Sequence, residues 1–293
     1  MKTINKTRSV KALLYAAEYP MGQIKVRQPF PSATIEFVDP FILLHHADME
    51  IPEFTDVKHA GVGPHPHRGF SPVTFIFKGG VHHRDSRGNN SVILAGGTQW
   101  MNAGMGVIHS ERPPSTIDKI GGRQEIIQLW VNTPASHKMD QPAYFPLTAE
   151  DTPTWKSEDG LVTAHVIAGE LFGLKGPIPA LSPVNAVTIE LEPGGKLEIS
   201  LPETHNAFIY LLNGEIALEN YGPVEGHHAV VFEANGEGIR FNALKSTRIL
   251  LMTGEPLNEK IAAHGPFVMN TETELLEAMR DYRMGKMGIL IEE

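Results

Sequence analysis

The sequence predicts an all-β chain of two barrels with helix as the minority element, and three observations carry that prediction. Short apolar runs are cut by turn signals at intervals of about ten residues, with 22 Pro and 28 Gly against three Trp, the pattern of an all-β sandwich or barrel. At 293 residues the chain suits two domains of ordinary size, each able to bury a core. A faint internal repeat also runs through it. AFIYLLNGEI from Ala207 to Ile216 aligns with VTFIFKGGVH from Val73 to His82 at an offset of 134 residues (207 − 73), which brings Gly80 onto Gly214.

Taken in order, residues 7–46 read as strands leading into the first barrel. QIKVRQPF and ATIEFV alternate apolar and polar residues between Pro breaks, and DPFILLHHAD is a buried run ending in His45 and His46. Those two histidines are adjacent, so on a strand at most one faces a cavity. The polar, Gly-rich stretch Asp48 to Pro64 is a loop that delivers HPHRGF. Strand-like PVTFIFKGGVHH and SVILAGGTQWM follow, with turns at Gly79-Gly80 and Ser86 to Asn90. His82 and His83 alternate faces, so one of them could line the pocket, but both are read first as structural, with Asp85 as a turn or hydrogen-bonding residue.

AGMGVIHSE comes next, with Gly97, Gly104 and Gly106 permitting close backbone approach. Glu125 to Val131 is an apolar strand that closes the first barrel before Pro134. Seven prolines then fall between 134 and 183, marking a crossover with one strand, LVTAHVIAG, inside it. The expected division is therefore a first barrel over 1–134, a crossover over 135–183 and a second barrel over 184–293. RILLMTGEP at Arg248 to Pro256 echoes the closing strand. The one helix is expected near the C-terminus: Thr271 and Glu274 have capping-box spacing, Leu275, Leu276, Met279 and Tyr282 make an apolar stripe, and Gly285 ends it.

The chemistry is concentrated between His65 and Glu111. Two pairs, His65 with His67 and His109 with Glu111, each have i, i+2 spacing. On a strand that spacing puts both side chains of a pair on one face, and the intervening out-and-back strands can return the second pair beside the first. Three imidazoles and a carboxylate form a nitrogen and oxygen donor set suited to Fe(II), Mn(II), Ni(II), Cu(II) or catalytic Zn(II), with about two open positions on an octahedral ion. Under the 134-residue offset His65 falls on Ile199 and His67 on Leu201, so the second barrel has lost its imidazoles. His205, His227 and His228 are expected at its surface.

Composition removes other classes. Without cysteine there is no disulfide, thiolate ligand or cysteine nucleophile. A net charge of −9 with scattered Lys and Arg argues against direct nucleic-acid binding. The apolar patch Ala12 to Ala17 is too short for a signal peptide or membrane helix, so a cytoplasmic protein is expected.

At HPHRGF, GTQWMNAGMGVIHSE, VHHRDSRGN, DPFILL and GEPLNEKIAAHGPFVMNTETEL the sequence resembles the pirin family of the cupin superfamily, over nearly the whole chain. The resemblance implies a bicupin, two antiparallel β-barrels of jelly-roll type with a short C-terminal helix. The first barrel would hold one iron through His65, His67, His109 and Glu111, and the second would be free of metal. It further implies a quercetin 2,3-dioxygenase-like activity on a small aromatic substrate and O₂, with Glu111 as the catalytic proton acceptor. The alternative it implies is an iron-dependent regulator that binds a transcription factor or a metabolic enzyme. Phe70, Trp100 and Met101 are expected as apolar pocket walls. Many pirins read HPHRGFET where this chain has Ser71 and Pro72; Glu111 is retained, so metal binding is expected to survive that departure.

Overall fold

The computed structural model describes residues 4–22, 24–117 and 121–292. The all-β expectation holds, and each of two compact units is assembled from separated stretches of chain. Residues 19–26, 43–151 and 257–293 form one, here the first unit; 1–18, 27–42 and 152–256 form the second.

Each unit contains a seven-stranded and a four-stranded antiparallel sheet. In the first unit the large sheet runs Ala143–Leu147, Thr98–Asn102, Phe70–Lys78, Gly122–Asn132, Phe41–Ile51, Ile24–Gln28, Ala17–Met21, and the small one Val62–His67, Val107–Arg112, Gly80–Asp85, Asn90–Leu94. The second unit's small sheet repeats this order as Lys196–Ser200, Gly238–Ala243, Glu215–Leu218 and Gly222–Glu225, and its large sheet matches in six strands, with the N-terminal Val10–Tyr15 at the edge where the first sheet has Ala143–Leu147. Its interior is one apolar cluster drawn from both sheets, including Leu197, Ile199, Leu201, Ile209, Ile239, Phe241 and Leu251.

The division does not follow chain order as the sequence suggested. Strand Val10–Tyr15 pairs with His228–Phe232 and so extends the large sheet of the second unit instead of entering the first barrel. The proline-rich stretch holds more than one strand: Ala143–Leu147 pairs with Thr98–Asn102, while Thr154–Lys156 and Val162–Ala168 pair with each other. Residues 257–293 belong to the first unit. Alternation in a sequence specifies a strand and its buried face but not which distant edge it joins. Gly122–Asn132 likewise lies inside its sheet, paired with Phe70–Lys78, and does not form a closing edge.

The helix spans Glu272–Arg283 with the expected capping box: the Glu274 amide donates to the Thr271 hydroxyl and the Thr271 amide to the Glu274 carboxylate. Its buried face is Leu275 and Ala278, whereas Leu276 is exposed. Gly285, at φ +73°, follows the helix end. No helix among the described residues is long and apolar enough to cross a membrane.

Candidate metal centre

The small sheet of the first unit sets the register that gathers the histidines. His109 stands opposite His65 across one strand pair, and Val107 stands opposite His67. Because directly opposed residues in antiparallel strands share a face, His65, His67 and His109 point the same way. Their nearest ring nitrogens all lie within 4.8 Å of one another. Ring centroids are 4.7 Å apart for His65 and His67, 4.3 Å for His65 and His109, and 4.9 Å for His67 and His109. Gly69, at φ +85°, lets the chain turn straight from His67 into strand Phe70–Lys78; a Cβ there would run into the Val268 carbonyl.

Hydrogen bonding fixes which nitrogen each ring presents. His65 Nδ1 lies 2.8 Å from the Gly63 carbonyl and His67 Nδ1 3.4 Å from that of Pro266. A carbonyl only accepts, so both Nδ1 atoms carry the proton and both Nε2 atoms keep their lone pairs, 3.1 Å apart. His109 Nε2 is buried without a hydrogen-bond partner among the described residues. An orphaned imidazole nitrogen beside two others with free lone pairs is what a cation would satisfy, so the donor set fits a metal. Burial, with the nearby His65 second, holds His67 well below the ordinary imidazole range; burial followed by His65, His67 and His83 does the same for His109. Both rings are thus neutral at neutral pH, as ligation requires.

Glu111 is not gathered so tightly. It lies two residues beyond His109 across a register shift and is buried, but it is not part of the three-histidine cluster. Its Oε1 accepts from Thr74 Oγ1 at 2.6 Å and its Oε2 from Gln128 Nε2 at 2.6 Å. Thr74 and Gln128 are themselves register partners in the large sheet, so that sheet reaches across the barrel interior to hold the carboxylate.

His65, His67 and Glu111 open onto a cavity of about 350 Å³, walled by Met21, Ile24, Leu43, Met49, Val62 and Trp130. Of the walls expected from the sequence, none lines it. Phe70 is buried behind Trp130 at a centroid distance of 4.2 Å, Met101 packs with Ala103 and Val107, and the Trp100 indole donates to Asn102. Ser71 donates to that same Asn102 oxygen, so the residue that departs from the usual pirin motif is absorbed in a buried polar pair. Of the adjacent histidines, His45 faces the cavity and is pushed by burial down to about 4, while His46 lies 3.4 Å from Glu125. His205 is buried in the second unit with Nδ1 3.0 Å from Thr253 Oγ1, not at the surface.

Asp85 is the turn and hydrogen-bonding residue the sequence suggested, but the sequence reading did not connect it and His83 with the ligand His109. Both are buried beside His109, with His83 Nδ1 3.4 Å from His109 Nδ1. The signal was present, because His83 and Asp85 are a third i, i+2 pair.

Comparison with known proteins bears on the same residues. Residues 23–131 match the Pirin family, and 186–288 match the Pirin C-terminal cupin domain. Pirin-like protein 2 of Arabidopsis thaliana is 36% identical over 271 residues, covering 90% of this chain and 80% of its own, and human Pirin is 35% identical over 272 residues, covering 90% and 88%. The crystal structure of quercetin 2,3-dioxygenase from Acinetobacter baumannii superposes with a TM-score of 0.91 at 33% identity, over 98% of this chain and all of that one. With two cupin barrels, a three-histidine cluster in the first, and relatives alike along nearly their full lengths, the chain belongs to the pirin family.

Proposed function

We propose that this protein is a metal-dependent dioxygenase that acts on flavonols such as quercetin, with one Fe(II) held by Nε2 of His65, His67 and His109 and by the Glu111 carboxylate. The observation that carries the reading is the cavity: two of the three clustered imidazoles, His65 and His67, end with Glu111 on a largely apolar space of about 350 Å³, above the roughly 300 Å³ lower bound for small-molecule sites. A crowded centre would have favoured a purely regulatory iron site. The 33% identical relative named quercetin 2,3-dioxygenase supports the same reading.

A bound Fe(II) would supply Lewis acidity toward the substrate hydroxyl and redox access to O₂; Mn(II), Ni(II), Cu(II) and Zn(II) suit the same donors. The chain's own residues do the rest. Met21, Leu43, Met49 and Trp130 exclude water and flank the flavonol rings. Thr74 and Gln128 fix the Glu111 rotamer, each using one lone pair of a carboxylate oxygen and leaving another on each oxygen free. One of these takes the proton of the flavonol 3-hydroxyl.

The test is anaerobic purification, metal analysis and O₂ uptake with quercetin after Fe(II) loading, for wild type beside His67→Ala. About one iron per chain with metal-dependent uptake, both lost in the variant, is the expected result. Iron without turnover removes the dioxygenase reading, and a wild type that binds no metal removes the centre itself.

A further inference from the structure

Two of the three histidines are oriented by backbone carbonyls, and the third faces the imidazole of His83, which in turn meets the Asp85 carboxylate. We propose that His83 and Asp85 form a positioning pair that fixes the tautomer and ring plane of His109, so that its Nε2 is delivered to the metal. The inference rests on the three-histidine centre alone and stands whether or not flavonols are the substrate.

Register supplies the placement. Strand Gly80–Asp85 pairs with Val107–Arg112 so that Asp85 is opposite His109 and His83 opposite Glu111, which puts both on the face that carries the ligands. Proton bookkeeping supplies the direction. Asp85 Oδ2 lies 3.1 Å from His83 Nε2 and accepts from Asn89 Nδ2 at 2.7 Å, and Oδ1 accepts from the amides of Arg87 and Asn89 at 2.8 and 3.0 Å. In the proposed arrangement His83 donates from Nε2 to this carboxylate and offers Nδ1 to His109 as an acceptor. His109 Nδ1, 3.4 Å away, is then the donor, and His109 Nε2 keeps its lone pair. That Nε2 is the buried atom without a partner.

His83 is not free to swing out of this chain. Its ring stacks on Tyr144 at a centroid distance of 4.0 Å and an interplanar angle of 5°, and the Tyr144 hydroxyl is tied to Ser91 at 2.7 Å. Strand Gly80–Asp85 is thus held from both sides, and the pair backs His109 with a charge that the carbonyls behind His65 and His67 lack. Partners of this kind make a ligating imidazole more basic and typically contribute 10- to 100-fold to metal affinity.

The experiment is a Zn(II) titration of the full chain against a chromophoric chelator, for wild type, His83→Phe, His83→Gln and His82→Phe. Phenylalanine keeps a ring for Tyr144 to stack on and removes both nitrogens; glutamine restores an acceptor; His82 is next on the strand, points to the other face and bonds Asn90. His83→Phe is expected to weaken Zn(II) binding about 10- to 100-fold at unchanged stoichiometry, with His83→Gln recovering part of the loss and His82→Phe near wild type. Long-range ¹H–¹⁵N spectra of the Zn(II)-loaded chain should show His109 protonated on Nδ1. Wild-type affinity in a folded His83→Phe, equal losses in His82→Phe, or His109 bound through Nδ1 would each overturn the proposal. Should His83→Phe fail to fold, the wild-type tautomer and the His83→Gln affinity still decide it.

Discussion

The small sheets of the two barrels share one strand order and differ in what they present to the interior. In the first unit His65 stands opposite His109; in the second, Ile199 stands opposite Ile239 at the same place in the topology. Glu111 opposite His83 has its counterpart in Phe241 opposite Leu218. Of the polar set His65 and Glu111 line a cavity of about 350 Å³, and the apolar set belongs to a continuous core. The lesson is that this fold carries a binding site as a vacancy in its packing. A barrel filled with Ile and Leu gains stability from burial, and one lined with imidazoles gives up that burial and recovers stability when a metal binds.

The sharpest way to break the comparison is to exchange the interiors. Ile199→His with Ile239→His places two imidazoles in a closed core, where they are desolvated and lack partners. Denaturant unfolding should show a loss of about 4 kcal/mol or more, with no metal gained. The reverse exchange, His65→Ile with His109→Ile, should abolish metal binding at a cost of no more than about 2 kcal/mol, since buried polar groups replaced by apolar ones are often nearly neutral. A second barrel that accepted both histidines and bound Zn(II) would show that topology, not filling, decides the site.

A second contrast lies in the cations that hold distant chain segments onto each barrel. In the second unit Arg8 is buried and donates to the carbonyls of His205, Pro202 and Gly236 at 2.7, 2.6 and 3.3 Å. In the first, buried Lys138 donates to the carbonyls of Gly69 and Val268 at 2.6 and 3.1 Å and to Asn132 at 2.7 Å. Burial pulls Lys138 down to about 8 from an unfolded value of 10.5. Below pH 8 both states are protonated and its contribution is flat. Between about 8 and 10.5 the unfolded chain binds more protons, so stability rises with pH by up to about 3 kcal/mol. Arginine stays charged across that window and has no such slope. Stability measured at pH 7 and pH 10 for wild type and Lys138→Met should therefore show the wild type gaining on the variant at the higher pH; equal differences at both would remove the assignment.

Much of the first barrel was legible because its signals are local. The spacing of His65 with His67 and of His109 with Glu111 fixed their faces, and the 134-residue offset that set Ile199 against His65 anticipated a filled second barrel. The placement of Val10–Tyr15 in the second unit and of residues 257–293 in the first was not legible, because edge pairing is decided by partners hundreds of residues away. The cavity walls were missed for a related reason. Phe70, Trp100 and Met101 adjoin the ligands in sequence but pack behind the lining, and the side chains that face the space, such as Met21, Leu43 and Trp130, come from strands of the opposite sheet. His83 was read as structural because adjacent histidines alternate faces, and the sequence alone does not show that strand Gly80–Asp85 pairs beside His109.

The smallest expected effect tests whether the C-terminal helix is scaffold or part of the centre. Its N-terminus is set by Thr271 and Glu274, and its last turn carries Asp281, whose Oδ2 receives Arg68 at 3.2 Å, one residue from His67. Arg68 also donates to the Met105 carbonyl at 2.7 Å, so one buried side chain links the residue next to His67 to the helix, while Ile108 beside His109 packs on the cluster that holds Leu275 and Ala278. Thr271→Ala removes the cap and should cost about 1 kcal/mol. If the helix only supplies packing through Leu275 and Ala278, Zn(II) affinity should change less than about twofold, since the Arg68–Asp281 pair lies near the other end, beyond the reach of terminal fraying. A larger loss of affinity than of stability would mean that the helix start transmits to His67, and the filled barrel, which carries no such helix, would then differ from the metal-binding one in its supports as well as in its lining.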